Sequence, residues 1–276
     1  MVRGLYTADT GMINEQKRLD VISNNLANSA TVGYKEESVS SQAFDDVLTI
    51  KIRDNSVGYN NQAIGTMSLG VKIGEVYTDY GQGAFVETGN TFDFAIDGNG
   101  FFTLRCPTAS GDSVTRYTRN GNFTWAIDAN GRTLLTDSEG CPVLDSQGNE
   151  IMVPQGISAE RMIFNQDGSI AYKDASGNPV LLNQSFGIYQ FNNPAGLEKT
   201  SSSRLIATAA SGNPMLEGAT NGISSSKVLA NYLEGSNVQV ADEMVNMIIA
   251  QRAYELNSKA ITTADSMLDT ANNLKR

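Results

Sequence analysis

The stretch Ser236-Asn-Val-Gln-Val-Ala-Asp-Glu-Met-Val-Asn-Met-Ile-Ile-Ala250, continuing without Pro or Gly to Leu274-Lys-Arg276, decides how the rest of the chain is read. Ala241, Val245, Ile249, Ala253, Leu256, Ala260, Ala264, Met267, Ala271 and Leu274 step by three or four and form one apolar stripe. That spacing predicts a helix, because residues three and four apart share a helical face. Ser236 or Asn237 can cap its start, since a short side-chain oxygen accepts from the orphan amides of the first turn. Asp242 and Glu243 near that end, and Lys275 and Arg276 at the other, suit the helix dipole. Such a helix runs roughly 55 to 60 Å, long for a compact domain. Its stripe needs a partner.

The first thirty residues supply one. Leu5, Met12, Leu19 and Leu26 recur every seventh position, with Ala8 and Ile22 between them and Glu15 as the one flaw in an a/d seam. Asn24, Asn25, Asn28 and Gly33 are expected to end this helix, because Asn and Gly tolerate the left-handed turn that closes one. Packing of both helices on the core between them fits the pattern equally well.

Between the helices the texture is that of strands. Val71, Ile73 and Val76 open a β run, and Phe92, Phe94 and Ile96 alternate with small or polar neighbours, the period of a half-buried strand. Asp97-Gly-Asn-Gly100, Asn120-Gly121, Asp128-Ala-Asn-Gly131, Asp137-Ser-Glu-Gly140, Asp145-Ser-Gln-Gly148 and Asp167-Gly168 are turn signals at hairpin spacing. Trp125, Ile127, Leu134, Leu135, Val143, Ile151, Val153, Ile163, Phe164, Leu181, Ile188 and Phe191 are the expected core. The fold class is α+β: a central all-β domain of antiparallel hairpins at 85–197, flanked by terminal helices at 1–34 and 232–276 that pair as a discontinuous helical domain. Residues 35–84 and 198–231 are expected to connect them, with 54–70 an exposed loop and the Ser runs at 201–204 and 224–227 flexible joints.

Composition narrows the function. The chain has 276 residues, 40% of them hydrophobic, so it can bury a sizeable core. A net charge of -10 argues against nucleic acid and against an anionic membrane surface. No apolar run is long enough to insert in a membrane. The start lacks a continuous apolar segment, so no cleavable signal peptide is expected. There is no His, which removes Ser-His and Cys-His pairs and imidazole metal ligands. The Asp/Asn-Gly segments lack the alternating oxygens and twelfth-position Glu of a calcium loop, and their residues are those that turns require. The Gly-rich runs lack phosphate-loop spacing. No catalytic, cofactor-binding or metal site is therefore assigned, and no cofactor is expected. Cys106 and Cys141 are read as two unpaired thiols acting as small hydrophobes, with a disulfide the alternative that needs a distance to decide.

Several motifs carry a resemblance. Gly4-Leu-Tyr-Thr-Ala8, Gly11-Met12, Leu19-Asp-Val-Ile-Ser-Asn-Asn-Leu-Ala-Asn28 and Thr31-Val-Gly-Tyr-Lys35 resemble the amino-terminal signature of flagellar rod and hook proteins. Tyr232-Leu-Glu-Gly-Ser-Asn-Val238, Glu243-Met-Val-Asn-Met-Ile248 and Gln251-Arg-Ala-Tyr-Glu-Leu-Asn-Ser-Lys-Ala260 resemble its carboxy-terminal partner. The last of these is most similar to the distal-rod member, and the proximal-rod members are similar too. Gln82-Gly-Ala-Phe-Val-Glu-Thr-Gly-Asn90, Phe94-Ala-Ile-Asp-Gly-Asn-Gly-Phe-Phe102, Tyr117-Thr-Arg-Asn-Gly-Asn-Phe123 and Phe191-Asn-Asn-Pro-Ala-Gly-Leu197 are similar to the family's β domain. Lys35 to Leu69 is the least similar part.

The resemblance implies a structural subunit of the bacterial basal body that reaches its site through the flagellar export apparatus. Its partners are copies of itself and other rod and hook subunits. The helices would line a hollow shaft that transmits torque to the hook. Leu5, Met12, Leu19, Ile22, Leu26, Val245, Ile249, Ala253, Leu256, Ala260, Ala264 and Met267 are then the expected assembly residues. Arg252, Glu255 and Lys259 fit either subunit contacts or pairing on a solvated face. A soluble binding module with an intramolecular helix pair is the competing reading. An exported enzyme that uses carboxylates on polysaccharide is a third.

Overall fold

The computed structural model describes residues 2–50, 63–107, 113–128, 131–154, 157, 161–174, 177–200, 203–217 and 226–274, and side chains at 2, 48–50, 63 and 64 are outside the description. The chain divides into a helical unit, Met1–Ala27, Glu37–Asp79 and Gln239–Arg276, and a β unit, Asn28–Glu36 and Tyr80–Val238.

The helical unit holds α1 (Val2–Ala27), strands β1 (Glu37–Ala43), β2 (Val47–Ile50), β3 (Ala63–Met67) and β4 (Val71–Thr78), and α2 (Val240–Asn273). β1 pairs antiparallel with β4 from Glu37↔Thr78 to Ala43↔Val71, with a bulge between Val39 and Ser41. The bulge has a local cause. Ser40 Oγ accepts from Glu75 N at 2.9 Å across the ladder, and Gly74 leaves room for it, since a Cβ there would meet that oxygen at 2.6 Å. β2 pairs with β3, so Ala63–Met67 is strand where an exposed loop was expected; the part of that loop at 54–62 lies outside the described residues. Asn14 on α1 donates to Ser41 Oγ at 2.9 Å, seating the helix on β1.

The start of α2 departs from expectation, while α1 ends directly before Asn28 as expected. α2 begins after Gln239 with no side-chain cap, because Asn237 is engaged elsewhere: its Oδ1 accepts from Glu36 N at 2.8 Å. Lys275 and Arg276, expected to suit the far end, are outside the described residues. Asn25, expected to terminate α1, instead lies buried inside it. It donates to Glu37 O at 2.8 Å and accepts from Glu37 N at 3.0 Å.

In the β unit the strands are β5 (Phe85–Glu87), β6 (Phe94–Asp97), β7 (Phe101–Pro107), β8 (Ser113–Thr118), β9 (Phe123–Ile127) and β10 (Thr133–Asp137). β11 (Met152–Val153), β12 (Met162–Phe164), β13 (Ser169–Lys173), β14 (Pro179–Ser185) and β15 (Ile188–Gln190) follow. The last are β16 (Glu198–Thr200), β17 (Arg204–Ile206), β18 (Met215–Leu216), β19 (Lys227–Ala230) and β20 (Tyr232–Glu234). A six-stranded sheet runs β16-β17-β8-β7-β15-β18, flanked by β11-β10-β9, β12-β13-β14 and the pairs β19-β6 and β20-β5. All pairings are antiparallel. Residues 198–231, expected as connection, thus contribute strands to the sheets. These strands are only two to four residues long, too short to carry an alternation.

Asp128–Gly131, Asp137–Gly140, Asp145–Gly148, Asn165–Gly168 and Asp174–Gly177 share one construction. In each, the Gly amide donates to the carbonyl three residues back, and the first residue's amide donates to the carbonyl just beyond the Gly. Each of these glycines has a φ between 75° and 83°. Each hairpin is closed by a glycine in the left-handed region, which explains the recurring Gly of Asp/Asn-x-x-Gly.

The main core joins Phe94, Phe102, Phe123, Val143, Ile170 and Phe186, and Phe94 packs on Phe123, Phe164 and Phe186 with centroids 6.0, 4.6 and 4.8 Å away. A second cluster holds Phe101, Tyr117, Phe191, Leu197 and Leu205. Of the expected core, Leu134, Leu135, Val143, Ile151, Val153, Ile188 and Phe191 are buried and Trp125, Ile163 and Phe164 half-buried. Ile127 and Leu181 are exposed. Ile127 sits at the last position of β9, and Leu181 yields the inward side to Leu182, where β13 and β14 slip register beside the positive φ of Asn183.

Cys106 and Cys141 are joined in a disulfide, which overturns the reading of two unpaired thiols. Their Cα atoms are 4.9 Å apart, within bridging range. That proximity comes from the pairing of Arg105 N with Pro142 O at 2.9 Å, and no sequence spacing reveals it.

Candidate assembly surface

The seam between α1 and α2 is not the stripe that hydrophobicity selects. Along α2, Glu243 and Ala250 are buried and Met247, Asn257, Ile261, Ala264 and Leu268 half-buried. These fall on two interleaved seven-residue series, as a two-helix seam requires. Glu243 Oε1 accepts from Asn25 Nδ2 at 2.9 Å across the helices, and the backbone of Gly11 approaches Asn257 so closely that a Cβ would lie 2.9 Å from its amide nitrogen. The seam is therefore narrow and partly polar. Glycine and alanine allow the approach, and the Asn-Glu bond fixes the register.

The expected assembly residues divide between the two faces. Ile22 is buried, and Leu5, Met12, Leu19 and Leu26 are half-buried on α1. On α2, Ala253 and Ala264 are half-buried and Ala260 exposed. Val245, Ile249, Leu256 and Met267 are exposed at 56, 52, 65 and 53%. They sit roughly a third of a turn around α2 from the α1-facing seam. Met244 and Ile248, absent from the sequence-based set, widen the same exposed strip. The more apolar face of α2 thus points away from its helical partner. Exposed apolar side chains gathered on one side of a helix make it a candidate interaction surface. Arg252 pairs with Glu255 at 2.9 Å on the solvated side.

In the β unit the signature motifs converge on one buried carboxylate. Glu234 Oε1 accepts from Lys35 Nζ at 2.6 Å and from Gly83 N at 3.1 Å, and its Oε2 lies 3.3 Å from Arg119 Nη1. All three charged side chains are almost fully buried, and Arg119 also donates to Gly98 O at 2.8 Å and stacks 4.9 Å over the Phe101 ring. Burial pushes the Arg119 guanidinium down from its ordinary value, and Glu234 opposes that shift. Lys35, Gly83, Gly98, Phe101, Arg119 and Glu234 come from five separately quoted motifs, which explains why those segments carry charge beside apolar residues. Sequence reasoning missed this cluster, because its members are distant in the chain and each charge alone reads as surface.

A third buried cation, Arg204, donates to Asp137 Oδ2 through Nε at 3.0 Å and Nη2 at 2.8 Å, with Glu139 on its Nη1. Tyr117 is held neutral by burial and, secondarily, by Tyr189, which push its phenol up to about 12.

Comparison with known proteins fits this arrangement. Residues 5–35 match the family described as flagella basal body rod protein, 95–172 the flagellar hook protein FlgE/F/G D1 domain, and 229–274 the flagellar basal body rod FlgEFG protein C-terminal region. The chain is 39% identical to the flagellar basal-body rod protein FlgG of Bacillus subtilis, with 100% of both chains covered. It is 36% identical to FlgG of Borreliella burgdorferi, again over 100% of both. The flagellar hook-basal body complex protein FlhP of Bacillus subtilis is 30% identical over the same full coverage. Identities of 39 and 36% over the whole length of both chains mean that this chain belongs to the flagellar basal-body rod protein family.

Proposed function

We propose that this chain is a structural subunit of the bacterial flagellar basal-body rod, in its distal segment, and that copies polymerise through the terminal helices into a hollow shaft. The observation that carries the proposal is the exposed strip of Val245, Ile249, Leu256 and Met267, left uncovered although α2 already has a partner in α1. Burying roughly 1,000 Å² of apolar surface per subunit contributes on the order of 25 kcal/mol gross, much of it offset by ordering and docking. Helical assemblies join unlike faces, so an outward strip on one copy meets a different surface on the next. Other rod and hook subunits are its neighbours, and the flagellar export apparatus delivers it. The role is mechanical and needs no catalytic step.

A monomeric binding module shares one feature with this structure, the intramolecular α1–α2 seam. It gives no reason for the exposed strip. Sedimentation of the purified chain over a concentration series, with electron microscopy of the fast fraction, separates the two. Polymers that vanish in a Val245→Asp, Ile249→Asp variant support the proposal, and a monomer at every concentration overturns it.

A further inference from the structure

The Cys106–Cys141 bond ties the second-last residue of β7, in the six-stranded sheet, to the residue that follows the Asp137–Gly140 turn of β10. It encloses 35 positions of sequence separation. Both cysteines lie in the main core, 2% and 3% exposed, between strand neighbours Leu104 and Val143 that are fully buried. Thiol–disulfide exchange needs a thiolate in line with the sulfur that it attacks. A sealed apolar core admits neither the attacker nor the charge. The bond can therefore form or break only while β7 and the turn after β10 are apart, before folding or on unfolding.

We propose that this disulfide is a one-way latch on the β unit: it forms by exchange with a disulfide oxidant once the unfolded chain has left the reducing cytoplasm, and folding then seals it against soluble thiols. One cysteine thiolate attacks the oxidant's disulfide, making a mixed disulfide and releasing one oxidant thiolate. The other cysteine thiolate displaces the second. The chain gives up two protons and two electrons, and the oxidant leaves as two thiols. The cellular half of this inference rests on the proposed rod role, and the sealing half rests on burial alone.

The test uses the full chain, oxidised and then exposed to dithiothreitol, with new thiols counted by a maleimide mass shift. Reduction in native buffer is expected to be slower than in denaturing urea by at least about a thousandfold, the scale set by the open fraction of a folded protein. Rates equal within tenfold overturn the seal. In cells alkylated at lysis, the cytoplasmic pool is expected to be reduced and the basal-body pool oxidised. Free thiols in the basal-body pool overturn the latch and leave the rod role standing. Absence of the chain from basal bodies sinks the rod role, and the purified protein still decides the seal. A Cys106→Ala, Cys141→Ala variant keeps an apolar core and is expected to melt about 5 to 15 °C lower. An unchanged Tm overturns the latch as a stabiliser.

Discussion

The Lys35 ammonium lies 2.6 Å from Glu234 Oε1, joining residues 199 positions apart in a site where both side chains are at most 4% exposed. Removing one partner strands the other charge in the core, which costs more than the pair itself contributes. Lys35→Met and Glu234→Gln are each expected to destabilise the β unit by about 3 to 5 kcal/mol. The double variant is expected to lose clearly less than the sum, because the two act as one unit. Urea unfolding followed by tryptophan fluorescence reads both, and single losses under about 1 kcal/mol would sink the account.

Two turn glycines are required for different reasons. At Gly121 a Cβ would lie 1.7 Å from the carbonyl oxygen of Phe94, so Gly121→Ala must move the backbone of β6. At Gly131 nothing lies within 4 Å, and only the φ of 75° resists a side chain. Gly131→Ala is expected to lose about 1 to 2 kcal/mol. Gly121→Ala should lose more than that, and thermal melts that reverse the order contradict the steric reading.

The two faces of α2 should respond oppositely to charge. Val245→Asp, Ile249→Asp and Leu256→Asp alter exposed positions, so each monomer is expected to keep its stability within about 0.5 kcal/mol and to lose polymerisation. Ala250→Asp places a carboxylate in the seam, where the native residue is 0% exposed, and should unfold the helix pair. Circular dichroism and sedimentation on the same samples separate the outcomes. Equal loss of helix in both groups would argue that the strip is structural.

Tyr117 sets an alkaline limit. Its folded value of about 12 stands above the ordinary 10.0, so the native state favours the neutral phenol. The stability it contributes is complete below pH 10 and disappears as pH rises through 12, with a magnitude on the order of 2 kcal/mol. Tyr117→Phe cannot ionise, so its urea midpoint should fall less than that of the native chain between pH 9 and 12. Parallel curves would show that Tyr117 is not the group responsible.

Some of this architecture is written locally. The repeated Asp/Asn-x-x-Gly places hairpin turns because it answers a backbone demand within four residues, and the long run without Gly or Pro after Ser236 becomes α2. Local patterns are less able to say which face of a helix is covered. α2 carries an apolar strip and a mixed seam of Glu243, Ala250 and Asn257, and hydrophobicity ranks the strip higher. α1 takes the seam, because Gly11 permits close approach and Asn25 offers Glu243 a bond.

By itself, then, the sequence determined the two terminal helices, the hairpin turns, the α+β class and the family, all of which depend on residues near one another or on motifs intact in the chain. The strands at 63–67 and within 198–231 were not legible in it. The tertiary structure alone decided the Glu234 cluster, the Cys106–Cys141 bond and the exposure of Val245, Ile249, Leu256 and Met267. Each of those depends on through-space distances between segments far apart in the chain, and the free energies of burial, ion pairing and covalent closure are functions of that distance.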